Sequence, residues 1–332
     1  MTTLWDTSGS AVVKALAAER RQAGAVASGL ALTLVAVVDE RLVAEAEQAA
    51  THAAAQHPCR LLLVVRRRPD DPEPRLDAEV SVGGRLGPGE AIVMRMYGRL
   101  ALHAESVVLP LLAPDAPVVT WWFGEPPRLI AHDPLGVIAD RRITDSMAST
   151  DPRAALQARA GDYLAGDTDL AWTRTTLWRS LCAAAFDSLH GDVSAITVAG
   201  DAQNPSRALL AGWLSAKLGH DVATQDTDGP GVTGVTLDVG GDTVQITRND
   251  GRLATLSHTS EKGSGPPDRV LPLPRRQLGD LLAEELRRLD PDVTYAEALE
   301  RTTGTLSDGG PRHHIWQDPA VVSDPDPALT TS

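Results

Sequence analysis

The run Leu30-Ala-Leu-Thr-Leu-Val-Ala-Val-Val38 is apolar at both alternating sets of positions, which predicts a strand covered on both faces. Glu40–His57 follows, with Val43, Ala46, Ala50, Ala53, Ala54 and His57 on one helical stripe, and Pro58 stops it. Arg60-Leu-Leu-Leu-Val-Val65 is a second buried strand. Strand, helix and strand in this order, with a crossover of that length, predict parallel pairing. A helix is expected before them, over Ser10–Arg21. After them, Leu76–Val82 alternates apolar residues with Asp77, Glu79 and Ser81, so one face should be solvated. Ile92–Tyr97 and Val118–Phe123 read as strands, and Leu100–Leu112 as a helix. Residues 1–125 are thus an expected N-terminal α/β domain with a mixed sheet.

The pattern then changes. Residues 126–168 carry Pro126-Pro127, Asp133-Pro134 and Asp151-Pro152 and read as a connector with short helices at best. Residues 169–301 begin with an expected long helix, Leu170–Leu189, then a strand, Ala195–Ala199. A helix, Pro205–Leu218, follows, with proline suited to its first turn. Val235, Leu237 and Val239 alternate with Thr236 and Asp238, and Val244 and Ile246 with Gln245 and Thr247. Gly240-Gly241 and Asn249-Asp250-Gly251 supply turns, so an antiparallel meander is predicted. Leu278, Leu281, Leu282, Leu286 and Leu289 form an amphipathic stripe ended by Asp290-Pro291. The second half is therefore an expected α+β domain. Residues 302–332, rich in Gly, Pro, Asp, Ser and Thr, read as a disordered tail.

Composition narrows the function. With 42% apolar and 23% charged residues, the 332-residue chain is neither fibrous nor intrinsically disordered, and does not read as a membrane protein. Its net charge of −13 makes nucleic acid or anionic lipid a poor partner. Residues 1–150 carry net −3 and residues 151–332 net −10, so an anion-binding surface is expected in the first half. Only Lys14, Lys217 and Lys262 are lysines; the other 28 basic residues are arginine. GC-rich codon usage accounts for this, or arginine is used for bidentate binding of carboxylate or phosphate. Cys59 and Cys182 make no disulfide framework, which fits a reducing compartment. The N-terminus lacks a basic start followed by an apolar core, and a cytoplasmic protein is expected.

Motifs for chemistry are missing. Gly83–Gly89 lacks the Gly-Lys-Ser/Thr ending of a phosphate loop and lies between strands, as a turn would. His52 and His57 are five apart and face different ways, and there is no His-Glu-x-x-His, Cys-x-x-Cys or Gly-x-Ser-x-Gly. No catalytic residue, metal or cofactor is assigned. Tryptophan is the outlier, seven against two Phe and three Tyr. Trp121 and Trp122 should point to opposite faces of a strand. Trp172 and Trp178 fall on one expected helix, roughly 120° off a common face, with Asp167, Asp169, Arg174 and Arg179 beside them. Arg141, Arg142 and Asp145 lie in the connector. These residues either pack the groove between domains with their charges solvated, or form a recognition surface, since Trp and Arg often anchor interfaces. Such a surface would hold a carboxylate-rich partner or a phosphate.

Pro117-Val-Val-Thr-Trp-Trp122, Asp133-Pro-Leu-Gly136, Arg141-Arg-Ile-Thr-Asp145 and Gly166-Asp-Thr-Asp-Leu-Ala-Trp-Thr-Arg174, in this order, resemble the OpcA family of glucose-6-phosphate dehydrogenase assembly proteins. Leu76–Glu79, Ser106–Leu112, Leu209–Leu214 and Glu284–Pro291 add to the resemblance, which covers about residues 4–300. Phe123 departs from it, since proline commonly follows the double tryptophan there. The resemblance implies a non-enzymatic partner of glucose-6-phosphate dehydrogenase that favours its active oligomer in the oxidative pentose phosphate pathway. It implies no catalytic residue. Trp121, Trp122, Arg141, Arg142, Asp145, Asp167, Asp169, Trp172, Arg174, Trp178 and Arg179 are the candidate contact residues. Alanine at Arg174 or Arg142 is expected to weaken activation without unfolding the chain. The alternative is a sugar-phosphate-binding enzyme or metabolite sensor using an interdomain cleft.

Overall fold

In the computed structural model, β1 (Thr2–Leu4) leads into α1 (Gly9–Gln22), which begins where the Ser8 hydroxyl accepts from the amide of Ala11. The structure describes residues 1–24, 29–83, 89–248, 250–260, 263, 265–307 and 309. They fall into two units, the first built from Met1–Ile143 with Leu286–Leu289 and the second from Thr144–Glu285 with residues 290–309.

In the first unit, β2 (Leu32–Val38), α2 (Val43–Ala54) and β3 (Cys59–Arg67) make the predicted parallel crossover, with Leu34 opposite Leu61 and Val37 opposite Val64. β4 (Arg75–Val82) and β5 (Glu90–Tyr97) are antiparallel, and the amide of Gly83 donates to the carbonyl of Gly89 between them. The interior of that glycine loop, residues 84–88, lies outside the described residues. Asp77, expected on a solvated face, is buried instead. It takes both arms of Arg75 at 2.9 and 2.8 Å and the amide of Asp6 at 2.9 Å, so its charge is paired rather than wet.

The expected helix Leu100–Leu112 is broken into α3 (Arg99–Leu102), α4 (Glu105–Val108) and a 3-10 turn, Leu109–Leu111. His103 leaves helical geometry at φ −113°, ψ 41°, and Pro110 has no amide to continue the ladder. β6 (Val118–Phe123), α5 (Pro134–Val137) and β7 (Arg141–Thr144) complete the unit. Its strands lie in the order β1-β4-β5-β3-β2-β6-β7, parallel from β5 to β7 and antiparallel at the β1 and β4 side. β5 and β3 lie on one side of β2, and β6 and β7 on the other. This is a doubly wound order whose chain reversal falls between β2 and β6. Val12 and Leu16 of α1 share a core with Leu62, Val64, Ile92 and Met94.

The second unit opens with α6 (Pro152–Gly161), β8 (Asp167–Asp169), α7 (Leu170–Thr173) and α8 (Thr176–Phe186). Residues 126–168, expected as a connector, therefore carry α5, β7, α6 and part of β8. The expected helix Leu170–Leu189 is two helices. At the break the Thr175 hydroxyl donates to the carbonyl of Trp172 at 2.7 Å, competing with the helical ladder. Trp172 and Trp178 consequently stand on different helices and enter different cores.

Then come β9 (Val193–Gly200), α9 (Pro205–Leu218), β10 (Ala223–Asp226), β11 (Val232–Val239), β12 (Asp242–Arg248), β13 (Leu253–Ser260), β14 (Arg269–Pro272), α10 (Leu278–Arg287) and α11 (Val293–Thr303). The sheet order is β10-β9-β11-β12-β13-β14. β11 to β14 form the predicted antiparallel meander, and β10 pairs parallel to β9. α11 runs across the first residues of the expected tail. Residues 310–332 lie outside the described residues.

Candidate functional site

The candidate residues of the first unit gather around α5. β6 sends Trp121 and Trp122 to opposite faces, and both are buried. Asp133 caps α5 by accepting from the amide of Leu135 at 2.9 Å, and it holds Arg66 in a bidentate pair at 2.6 and 2.9 Å. The Thr120 hydroxyl donates to the carbonyl of Leu135 at 2.7 Å. Gly136 is required by space. A Cβ there would lie 1.8 Å from the carbonyl oxygen of Ile130 and 3.4 Å from the ring of Trp122. Arg142 is fully buried and donates to the carbonyls of Gly136 and Ala139, at and just after the end of α5. Arg141 is buried too.

In the second unit the carboxylates do distinct work. Asp145 takes Arg174 in a bidentate pair at 2.7 and 2.7 Å. Burial pushes Asp145 up, against the pull of Arg174 and with the push of Asp169. Burial alone would lower Arg174; the bonds to Asp145 outweigh it, and the net direction is up. Asp169 is fully buried and is satisfied by neutral donors: the hydroxyls of Thr144 and Ser146 at 2.8 and 2.7 Å, and the amides of Ser146 and Ala171. It also starts α7. Asp167 accepts from the amide of Leu164 at 2.8 Å.

Trp172 is buried, and its Nε1 donates to Asp292 at 2.8 Å. The Arg179 guanidinium stacks on that ring and donates to the hydroxyls of Thr175 and Thr176, each at 3.0 Å. Burial lowers Arg179 from its ordinary range. Trp178 is buried with the Arg248 guanidinium 4.9 Å from its ring centre.

Nine of the eleven candidates are thus buried within the chain; Arg174 and Arg179 alone are half-buried and reach solvent. The fold joins Asp145 with Arg174 and Trp172 with Arg179 in the second unit, and Trp122 with Arg142 around α5 in the first. Sequence reasoning missed Asp133 with Arg66, and missed Arg248 and Asp292, because their partners lie far away along the chain. Among the described residues, no group of three His, Cys, Asp or Glu is placed to hold a metal ion. Burial pushes the Cys59 and Cys182 thiols up to about 12 each, far from thiolate reactivity. No helix of the described residues is long and apolar enough to cross a membrane.

Both halves match one family. Residues 50–161 fit the domain described as glucose-6-phosphate dehydrogenase subunit N-terminal domain, and residues 165–299 fit its C-terminal counterpart. The chain belongs to the OpcA family. It is 26% identical over 272 residues to the putative OxPP cycle protein OpcA of Synechococcus elongatus, covering 76% of this chain and 57% of that protein. It is 27% identical over 186 residues to the Synechocystis protein of the same name, covering 50% of this chain and 38% of the relative. The chain thus spans little more than half the length of these relatives at most. Among solved structures it is similar to KijD10, a 3-ketoreductase from Actinomadura kijaniata, at 12% identity and a TM-score of 0.45 over 82% of this chain and 94% of that one. That likeness is too slight to bear on fold or activity.

Proposed function

We propose that this chain is a non-enzymatic partner of glucose-6-phosphate dehydrogenase that favours its assembled, active state. The observation that carries this reading is the match of both halves to domains described as subunits of that dehydrogenase. The switch point of the first unit supports a binding role over hydride chemistry. A dinucleotide-binding strand runs into a glycine-rich turn and a helix whose amides meet the pyrophosphate. Here β2 runs into Asp39 and Glu40 with no glycine in the turn, and Glu40 is taken up by Arg95 at 2.9 and 3.0 Å. In this reading Arg174 and Arg179 are the accessible edge of the contact surface, and the buried tryptophans and aspartates hold them in place.

An activator must bind the active state more tightly than the inactive one. A differential of about 1–3 kcal/mol changes the population about 5- to 150-fold. The test is dehydrogenase turnover across enzyme concentrations, with and without this protein. Activation should be largest where the enzyme is dilute. A ratio of one at every concentration overturns the reading.

A further inference from the structure

Within the second unit, a pocket of about 250 Å³ lies between the start of α9, the β11 and β12 strands and the segment after β14. Arg174, Arg248, Arg275 and Arg276 all line it. Arg174 is neutralised by Asp145 and Arg276 by Glu284. Arg248 and Arg275 have no carboxylate partner among the described residues. The Nε of Arg248 is sealed from solvent and finds no acceptor among the described residues, while Arg275 stands exposed. Burial, with Arg275 adding like charge, lowers Arg248 to about 10, so it stays cationic at neutral pH.

Uncharged donors face the same space. Ser206 is 5% exposed, and its Oγ makes no hydrogen bond. Asn204 spends its oxygen capping α9, accepting from the amides of Ser206 and Arg207. Among the described residues its Nδ2 meets only the soft sulfur of Met147, at 3.4 Å. Gly231 lines the same space at φ +74°, a conformation that favours glycine. A Cβ there would stand 3.5 Å from Arg275 Nη1 and 3.6 Å from Asn204 Nδ2.

A buried donor without a partner destabilises the ligand-free chain, and the Arg248 guanidinium, resting on the Trp178 ring, faces the like charge of Arg275 with no carboxylate between them. A monoanionic carboxylate would offset only one of the two. A phosphate dianion offers both charges and three acceptor oxygens, and guanidinium geometry suits it. The volume admits a small organic group on that phosphate and no polymer chain. We propose that this pocket binds a small phosphorylated metabolite by its phosphate, held by Arg248, Arg275 and Ser206.

The proposal is independent of the dehydrogenase reading, because binding is measured on this chain alone. Calorimetry and thermal melting with inorganic phosphate and with a hexose 6-phosphate, at matched ionic strength, test it. Saturable binding with one site per chain, a raised melting temperature and a hexose phosphate at least as tight as phosphate are expected. The double variant R248M/R275M should bind at least tenfold more weakly, and S206A a few-fold more weakly. R275M alone changes only an exposed side chain, so it should keep the fold and still lose affinity. Absence of saturable binding by the wild-type chain overturns the site, as does unchanged affinity in R275M and the double variant. Binding of inorganic phosphate with exclusion of the hexose phosphate overturns the metabolite.

Discussion

The Arg179 guanidinium lies 3.7 Å from the centre of the Trp172 ring, while the indole nitrogen of that ring donates to Asp292 at 2.8 Å. One tryptophan thus ties α7, α8 and the start of α11. Replacing Arg179 by Ala should destabilise the second unit by about 1–2 kcal/mol, the range for a partly desolvated cation–π pair. R179K should recover only part of this, since an ammonium cannot lie flat on the ring. Urea unfolding followed by tryptophan fluorescence reads both. A midpoint unchanged in R179A would show that the stacking contributes nothing.

Arg174 behaves differently. Removing it leaves Asp145 buried beside Asp169 without its cation. Breaking a buried pair costs about 3–5 kcal/mol. Arg174 keeps 30% side-chain exposure, so R174A should fall nearer 2–3 kcal/mol after screening is allowed for. Alanine at Arg174 or Arg142 is therefore expected to lower stability as well as any activation, since Arg142 is wholly buried against the carbonyls of Gly136 and Ala139. Thermal melting of D145N/R174M against R174A separates the causes. The double variant should be the more stable.

Gly136 should tolerate no side chain. Its Cβ would overlap the carbonyl oxygen of Ile130, which is backbone and cannot rotate away. G136A should cost at least about 3 kcal/mol, the upper end for overpacking. Circular dichroism melting checks it, with G161A as a control, since nothing stands within 4 Å of a Cβ there.

Glu90 sets an acid limit for the first unit. Burial alone would raise it. Arg20, at 2.5 and 2.8 Å, and Arg60, at 2.7 Å, outweigh burial and hold it below its ordinary range. A carboxylate lowered on folding contributes stability that is fully present above its unfolded pKa, about 4.3. That stability is lost as pH falls through the lower, folded value. The wild-type midpoint should therefore drop steeply below about pH 4. E90Q should start lower at pH 7 and show a shallower drop, which melting curves from pH 7 to 3 will read.

The alternation of residues carried most of the strands, and the stripe over 40–57 carried α2, because these signals are local. The opposite facing of Trp121 and Trp122 was legible for the same reason. What stayed hidden is tertiary. Nothing near Trp172 names Asp292, 120 positions on, as its acceptor. Asp77 read as solvated because alternation records polarity and cannot register that Arg75 and the Asp6 amide satisfy it. The helix over 170–189 broke where Thr175 offered its hydroxyl to the backbone, a choice propensity sees only weakly. Arg248 and Arg275 come from different strand ends and share no motif, so only folding sets them side by side.

The packing of α11 has a consequence for synthesis. Thr302 donates to the carbonyl of Ala208, and Tyr295, Ala298 and Leu299 share a core with Leu209 and Trp172. Thr302 follows Ala208 by 94 residues, which at ordinary ribosomal speed is on the order of 10 s. During that interval Met1–Ile143 of the first unit is already made, while Leu209 and Trp172 wait without Tyr295, Ala298 and Leu299 on a nascent chain. The second unit closes late, and that window is when a chaperone would find its target.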